Sequence, residues 1–155
     1  MEKSCVHLNN EGSGDMYPKG ALMLNTIRHL LNDDDKWWRI LKKYAETFKY
    51  KIIDTETVIS FFNTETGMNL TPVFYQYLKY THIPTFEYTL EQDQLKYRWK
   101  ADETNFNMAV EISIDGKKIM LKPTTTWQTY ATTVSKNASI EVDTKKEYIE
   151  YKKTL

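Results

Sequence analysis

"LTPVFYQYLKYTHIPTFEYTL", residues 70–90, holds two structural periods in one short stretch. Val73, Phe74, Tyr77 and Leu78 recur at three- and four-residue steps, which is one face of a helix. Thr71 offers a cap, and Pro72 suits a first helical position, where a missing N–H costs nothing. Beyond His82-Ile83-Pro84 the apolar residues fall on every second position: Phe86, Tyr88, Leu90. That is the period of a half-buried strand. The sequence therefore predicts helices before Pro84 and strands after it.

Helix signals continue upstream. Pro18 suits the start of a helix whose inner face is Ala21, Leu24, Ile27, Leu30 and Leu31. Asn32-Asp33-Asp34-Asp35 ends it and caps the next, where Trp37, Ile40, Leu41, Tyr44 and Phe48 keep helical spacing. Lys42 and Lys43 fall on the wet side. Thr55 opens a third helix through Val58, Ile59 and Phe62, ending near Gly67, a natural left-handed cap. The helix from Thr71 is the fourth, and together they predict a short-helix bundle.

Downstream, Leu95, Tyr97 and Trp99 alternate, and Asp115-Gly116 between "VEISI" and "KKIML" is a two-residue hairpin signal. "WQTYATTV", "SIEVDT" and "EYIEYK" add strands. About seven short strands predict a small antiparallel β-sandwich. The fold class is α+β in two parts, with domains at 1–84 and 85–155.

Composition narrows the function. The 155 residues carry 21 basic and 21 acidic side chains, with a pI near 6.8. Nucleic-acid binding wants a basic face, which this balance does not offer. Cys5 is the single cysteine, so a disulfide framework and a multi-cysteine zinc site are both excluded. The longest apolar run falls far short of the ~18 residues a membrane helix needs. No signal-peptide pattern opens the sequence, and the compartment is not readable from it.

Candidate chemistry is sparse. His7, His29 and His82 lie far apart, and no H-E-x-x-H is present. The Asp33-Asp34-Asp35 run lacks the spacing of a calcium loop and reads as helix capping. Cys5 and His7 could be imagined as a nucleophile and its base, but they stand near the start of the sequence with no element signal to anchor them. Gly12-Ser13-Gly14 precedes a helix and resembles an anion cradle, but lacks the full P-loop or dinucleotide pattern. "VFYQYLKY" reads as core or as a stacking surface. The triplets at 69–71 and 137–139 match the glycosylation pattern and carry no argument. Tyr17 remains. Pro18 pushes its backbone toward the extended region, which sets it where the loop turns into the first helix. The ring is either an aromatic staple or a phenol aimed at a site.

"MYPKGALMLNTIRHLL" resembles the Tyr-x-Lys-Gly-Ala signature of the aminopeptidase N family of zinc metallopeptidases. "NDDDKWWRILKKYAETF" is similar to the acid-rich turn and helix that follow in that family. "TETVISFFNTETGMNLTPVFYQYLKYTHIP" resembles its later progression. The match runs in order from residue 11 to 84, and residues 85–155 look like the family's small β-domain. "EGSGDMY" and the end after one sandwich resemble bacterial members without a large C-terminal helical domain.

The resemblance implies that Tyr17 is the catalytic tyrosine, whose hydroxyl hydrogen-bonds the tetrahedral oxyanion when an N-terminal peptide bond is hydrolysed. Lys19 and Gly20 belong to the same signature and read as structural, with Gly20 permitting close packing in the first turn. The zinc-binding helix, the downstream zinc-binding glutamate and the Gly-x-Met-Glu-Asn strand, all N-terminal in the family, are missing. The chain thus reads as the C-terminal portion of such an enzyme. It is expected to bind no zinc and cleave no peptide alone, and its partners would be the missing N-terminal half and, for the whole enzyme, peptide substrates. The alternative is a non-catalytic interaction module.

Overall fold

A computed structural model describes residues 16–91, 94–132 and 138–154. Four helices come first: α1 (Met16–Leu31), α2 (Asp34–Phe48), α3 (Thr55–Thr66) and α4 (Thr71–Lys79). Seven strands follow: β1 (Thr85–Glu91), β2 (Gln94–Lys100), β3 (Val110–Ile114), β4 (Lys117–Leu121), β5 (Gln128–Ala131), β6 (Ile140–Val142) and β7 (Glu150–Lys153). The architecture is α+β, a helix bundle followed by a small β-sandwich.

Local chemistry explains the helix ends. Asp33 is the cap of α2 and accepts the Lys36 N–H at 2.9 Å. Asp54 caps α3 in the same way, accepting the Thr57 N–H at 2.8 Å. Gly67 closes α3 in the left-handed region with φ 76°, where its N–H donates to the Asn63 carbonyl. The α4 cap departs from the sequence reading. Leu70, not Thr71, holds that position and has no capping side chain, so Pro72 is the second residue of the helix. Asn63 substitutes from α3: its Oδ1 accepts the Leu70 N–H, and its Nδ2 donates to Thr71 Oγ1.

The bundle core is Met23, Ile27, Trp37, Ile40, Ile59, Phe62, Val73, Phe74 and Tyr77, all buried. Two expected inward residues are not there. Ala21 is exposed, and Met23 and Thr26 are buried on α1 instead. The longer Met23 side chain reaches the core, and Thr26 is accommodated because its hydroxyl donates to the Leu22 carbonyl. Leu78 is 41% exposed, and Gln76 is fully buried. Gln76 tolerates burial because both ends of its amide are bonded, to the His82 carbonyl and from the Glu103 N–H. "VFYQYLKY" is thus core at Val73, Phe74, Gln76 and Tyr77 and forms no stacking surface there.

The strands form two sheets, ordered β5-β2-β1-β7 and β4-β3-β6. The pairings are antiparallel except β1 with β7, which is parallel. Phe86, Tyr88, Leu90, Leu95, Tyr97 and Trp99 all point into the sandwich, as the alternation requires. Trp99 meets Phe106 edge-on at 5.3 Å, and its indole N–H donates to the Met108 carbonyl at 2.8 Å. The β3–β4 hairpin turns on Asp115 and Gly116, with φ 47° and 81°. Two positive values are what a type I′ turn demands.

Helices and sheets are knitted together by segment 143–149, which sequence reading assigned in part to a strand. β7 begins only at Glu150. The preceding turns lie against α1 and α4, where Tyr148 donates its N–H to Thr26 Oγ1 and accepts from the Tyr77 hydroxyl.

Candidate functional site

Tyr17 is the second residue of α1, and its side chain is 78% exposed. The helix starts at Met16, before the proline, so Tyr17 lies in the first turn and not in the connecting loop. Pro18 is compatible with this placement because the first-turn amides have no intrahelical acceptor to lose. The phenol therefore stands on a regular helix and projects from the bundle.

Two further residues of the signature stretch locate that turn. Lys19 Nζ donates to the Tyr80 carbonyl at 2.6 Å, joining the first turn of α1 to the end of α4. This bond connects residues 61 apart in the chain. Gly20 has no close-packing role among the described residues, since a Cβ built on it meets nothing within 4 Å. The helix presents an open face at that point. Pro18, Ala21 and Leu22 on the same helix are exposed, as are Leu78 and Tyr80 on and just beyond α4.

The other candidates fall elsewhere. His29 is half-buried on α1, and His82 is exposed with Nδ1 3.0 Å from Asp102 Oδ2. Among the described residues, no three His, Cys, Asp or Glu side chains converge to hold a metal ion. These residues do not fit a zinc centre. Two members of the aspartate run are engaged in local contacts. Asp33 caps α2, and Asp34 takes a bidentate contact from Arg28 at 2.6 and 2.7 Å. That guanidinium holds the Asp34 carboxyl below its ordinary range. Cys5, His7 and Gly12-Ser13-Gly14 lie outside the described residues, as does Asn137 of the second triplet.

Sequence reading missed one unusual acid. Glu147 is buried, with its Oε2 unpartnered among the described residues. Burial raises its pKa to about 8, and the nearby Glu111 and Asp143 carboxylates push the same way. Burial likewise pushes the neighbouring Tyr77 phenol far above its usual value. Nothing in "DTKKEYIEYK" signals this, because a glutamate in a lysine-rich stretch reads as solvated.

No family model matches the chain. No curated protein matches it either. Among solved structures it is similar to an aminopeptidase A from Legionella pneumophila, solved in complex with aspartic acid. The superposition has a TM-score of 0.65 at 12% sequence identity and covers 89% of this chain. The chain spans 18% of the length of that enzyme. At this identity the likeness concerns the fold, and the fold is one found within an aminopeptidase.

Proposed function

We propose that this chain is the C-terminal portion of a zinc-dependent aminopeptidase of the aminopeptidase N family. In this reading residues 1–84 form the helical end of the catalytic domain and residues 85–155 the β-sandwich behind it. The missing N-terminal half would carry the ligands of the metal and cover the open face of α1. Substrates of the whole enzyme would be peptides with a free N-terminus.

One observation carries the reading: Tyr17 stands exposed on a tethered helical turn in a chain whose fold resembles part of an aminopeptidase. A phenol is a neutral donor at pH 7 because its ordinary pKa is about 10. A donor fixed beforehand toward a developing oxyanion stabilises the transition state by about 3–4 kcal/mol. Tyr17 would give its hydroxyl proton as a hydrogen bond to the tetrahedral oxygen, without transferring it. Lys19 would hold the turn that aims it.

The test is the DNA upstream of this segment and the protein it encodes. An in-frame H-E-x-x-H segment is expected there. In that protein Tyr17→Phe should lower kcat by about 100- to 1000-fold with little change in KM. Equal losses in kcat and affinity would remove the transition-state role. The 155-residue chain alone should hydrolyse no aminoacyl-anilide, and zinc-dependent turnover by it would refute the proposal.

A second reading draws on the exposed Trp38, Tyr50 and Ile52, which lie on and just after α2. Here the chain is a non-catalytic module that binds a partner through these apolar side chains. The upstream DNA separates the two readings, because a module requires no metal-binding segment.

A further inference from the structure

The segment around Glu147 is bonded to the helices on both sides of that residue. The Lys146 carbonyl accepts from Asn25 Nδ2 of α1 at 3.2 Å. Tyr148 gives its N–H to Thr26 Oγ1 at 2.9 Å and takes the Tyr77 hydroxyl on its carbonyl at 2.7 Å. The Tyr77 and Tyr148 rings also stack, 5.7 Å apart. Between these anchors sits a carboxyl group, 9% exposed at the level of the residue, with one oxygen lacking any partner among the described residues. A buried carboxylate without a cation is costly, and the neutral acid costs far less.

We propose that Glu147 is a proton-held latch: its neutral carboxyl lets segment 143–149 close on α1 and α4, and its ionisation drives that segment off them. The surrounding charges favour this. From α4 the facing group is the Tyr77 phenol, and from α1 the uncharged Asn25 and Thr26. From β3 it is Glu111, and from the segment itself Asp143, Lys146 and Tyr148. Among the described residues Lys146 is the one cation that acts on the Glu147 carboxyl, and its Nζ already stands 3.8 Å from both Glu111 and Asp143. Lys118 pairs with Glu111 at 2.8 Å. Glu147 therefore meets more negative than positive charge, in keeping with a pKa raised to about 8.

The direction of the effect follows from proton binding. The native chain keeps the Glu147 proton to about pH 8, whereas the unfolded chain releases it near the ordinary 4.5. The stabilisation is complete below about pH 4.5, is lost progressively as pH rises toward 8, and is absent above that. The junction it governs includes α1, the helix that bears Tyr17.

The test compares the 155-residue chain with its Glu147→Gln variant, which mimics the neutral acid. Between pH 5 and 8 the unfolding constant of the parent should rise by up to about tenfold per pH unit relative to the variant. Exchange of the Tyr148 amide, corrected for intrinsic rate, should accelerate from pH 6.5 to 9 in the parent and not in the variant. Parallel pH profiles for the two chains would overturn the latch. If the variant does not fold, the parent decides by ¹³C titration of the Glu147 carboxyl. A midpoint above 7 supports the proposal, and one near 4.5 overturns it.

Discussion

Glu103 donates its backbone N–H to the side-chain oxygen of Gln76 at 2.8 Å, across 27 residues and from the sandwich side of the chain to α4. The other end of the same amide donates to the His82 carbonyl at 2.9 Å. One buried side chain thus closes the corner where the helices give way to the strands. Gln76→Leu keeps most of the volume and leaves both backbone groups unpaired. The expected loss is about 2–4 kcal/mol of unfolding free energy by urea titration. A loss below about 1 kcal/mol would mean that the corner does not depend on this amide.

Tyr77→Phe removes only an oxygen. The ring keeps its place against Tyr148, but the Tyr148 carbonyl loses its donor. Leaving a buried acceptor unmade should destabilise the chain by about 1–3 kcal/mol. Differential scanning calorimetry would show the drop in Tm, and an unchanged Tm would place that carbonyl in water.

Gly116 tests backbone strain without steric contact. Its φ is 81°, yet an added Cβ meets nothing within 4 Å. Gly116→Ala should therefore destabilise by about 1 kcal/mol, the penalty of a left-handed L-residue. A loss several times larger, measured by guanidinium titration, would indicate a clash that the turn does not contain.

The cap of α3 carries an acid-side pH dependence. Hydrogen bonds from the Thr57 side chain and backbone hold the Asp54 carboxyl below its ordinary range. A depressed pKa gives stability that is present above the ordinary carboxylate range and lost as pH falls through it. Asp54→Asn can still cap but does not titrate. Thermal melts followed by circular dichroism below about pH 4 should show a smaller acid loss in the variant. Identical acid profiles would contradict the cap's role.

Tyr17→Phe should leave the isolated chain's stability within about 0.5 kcal/mol, because its side chain projects into solvent. A marked loss in a denaturant titration would reassign the ring to packing. This separates a functional tyrosine from a structural one without any measurement of activity.

The fold was readable where one physical rule acted alone. Period two placed Phe86 through Trp99 in the sandwich, and Asp115-Gly116 named its hairpin, since both depend on neighbours in sequence. Asp33 opened α2 and Gly67 closed α3 for equally local reasons. The misreadings share a different cause. Gln76 is inside and Leu78 is not because the Glu103 N–H and the His82 carbonyl meet at Gln76, and no periodicity encodes that meeting. The cap of α4 comes from Asn63 on another helix. Glu147 was invisible for the same reason: its burial depends on α1 and α4, over a hundred residues away from α1 by the chain. At the candidate site, Tyr17 was found through a resemblance, and its exposure and the Lys19 tether came only with the structure.

Segment 146–154 has a consequence for how the molecule assembles. It pairs β7 with β1 in parallel, Thr85 opposite Glu150, and also supplies the bonds that seat the sheet side on α1. Contacts of such wide sequence separation form late, after the entropy of closing long loops has been met. A nascent chain can build its helices and the β1–β2 ribbon early, but one edge of that ribbon stays uncovered until this segment has left the ribosome. Translational pausing before Lys146 would therefore prolong the aggregation-prone stage, and a chain shortened there would lose a strand and that segment's bonds to α1 and α4 in a single step.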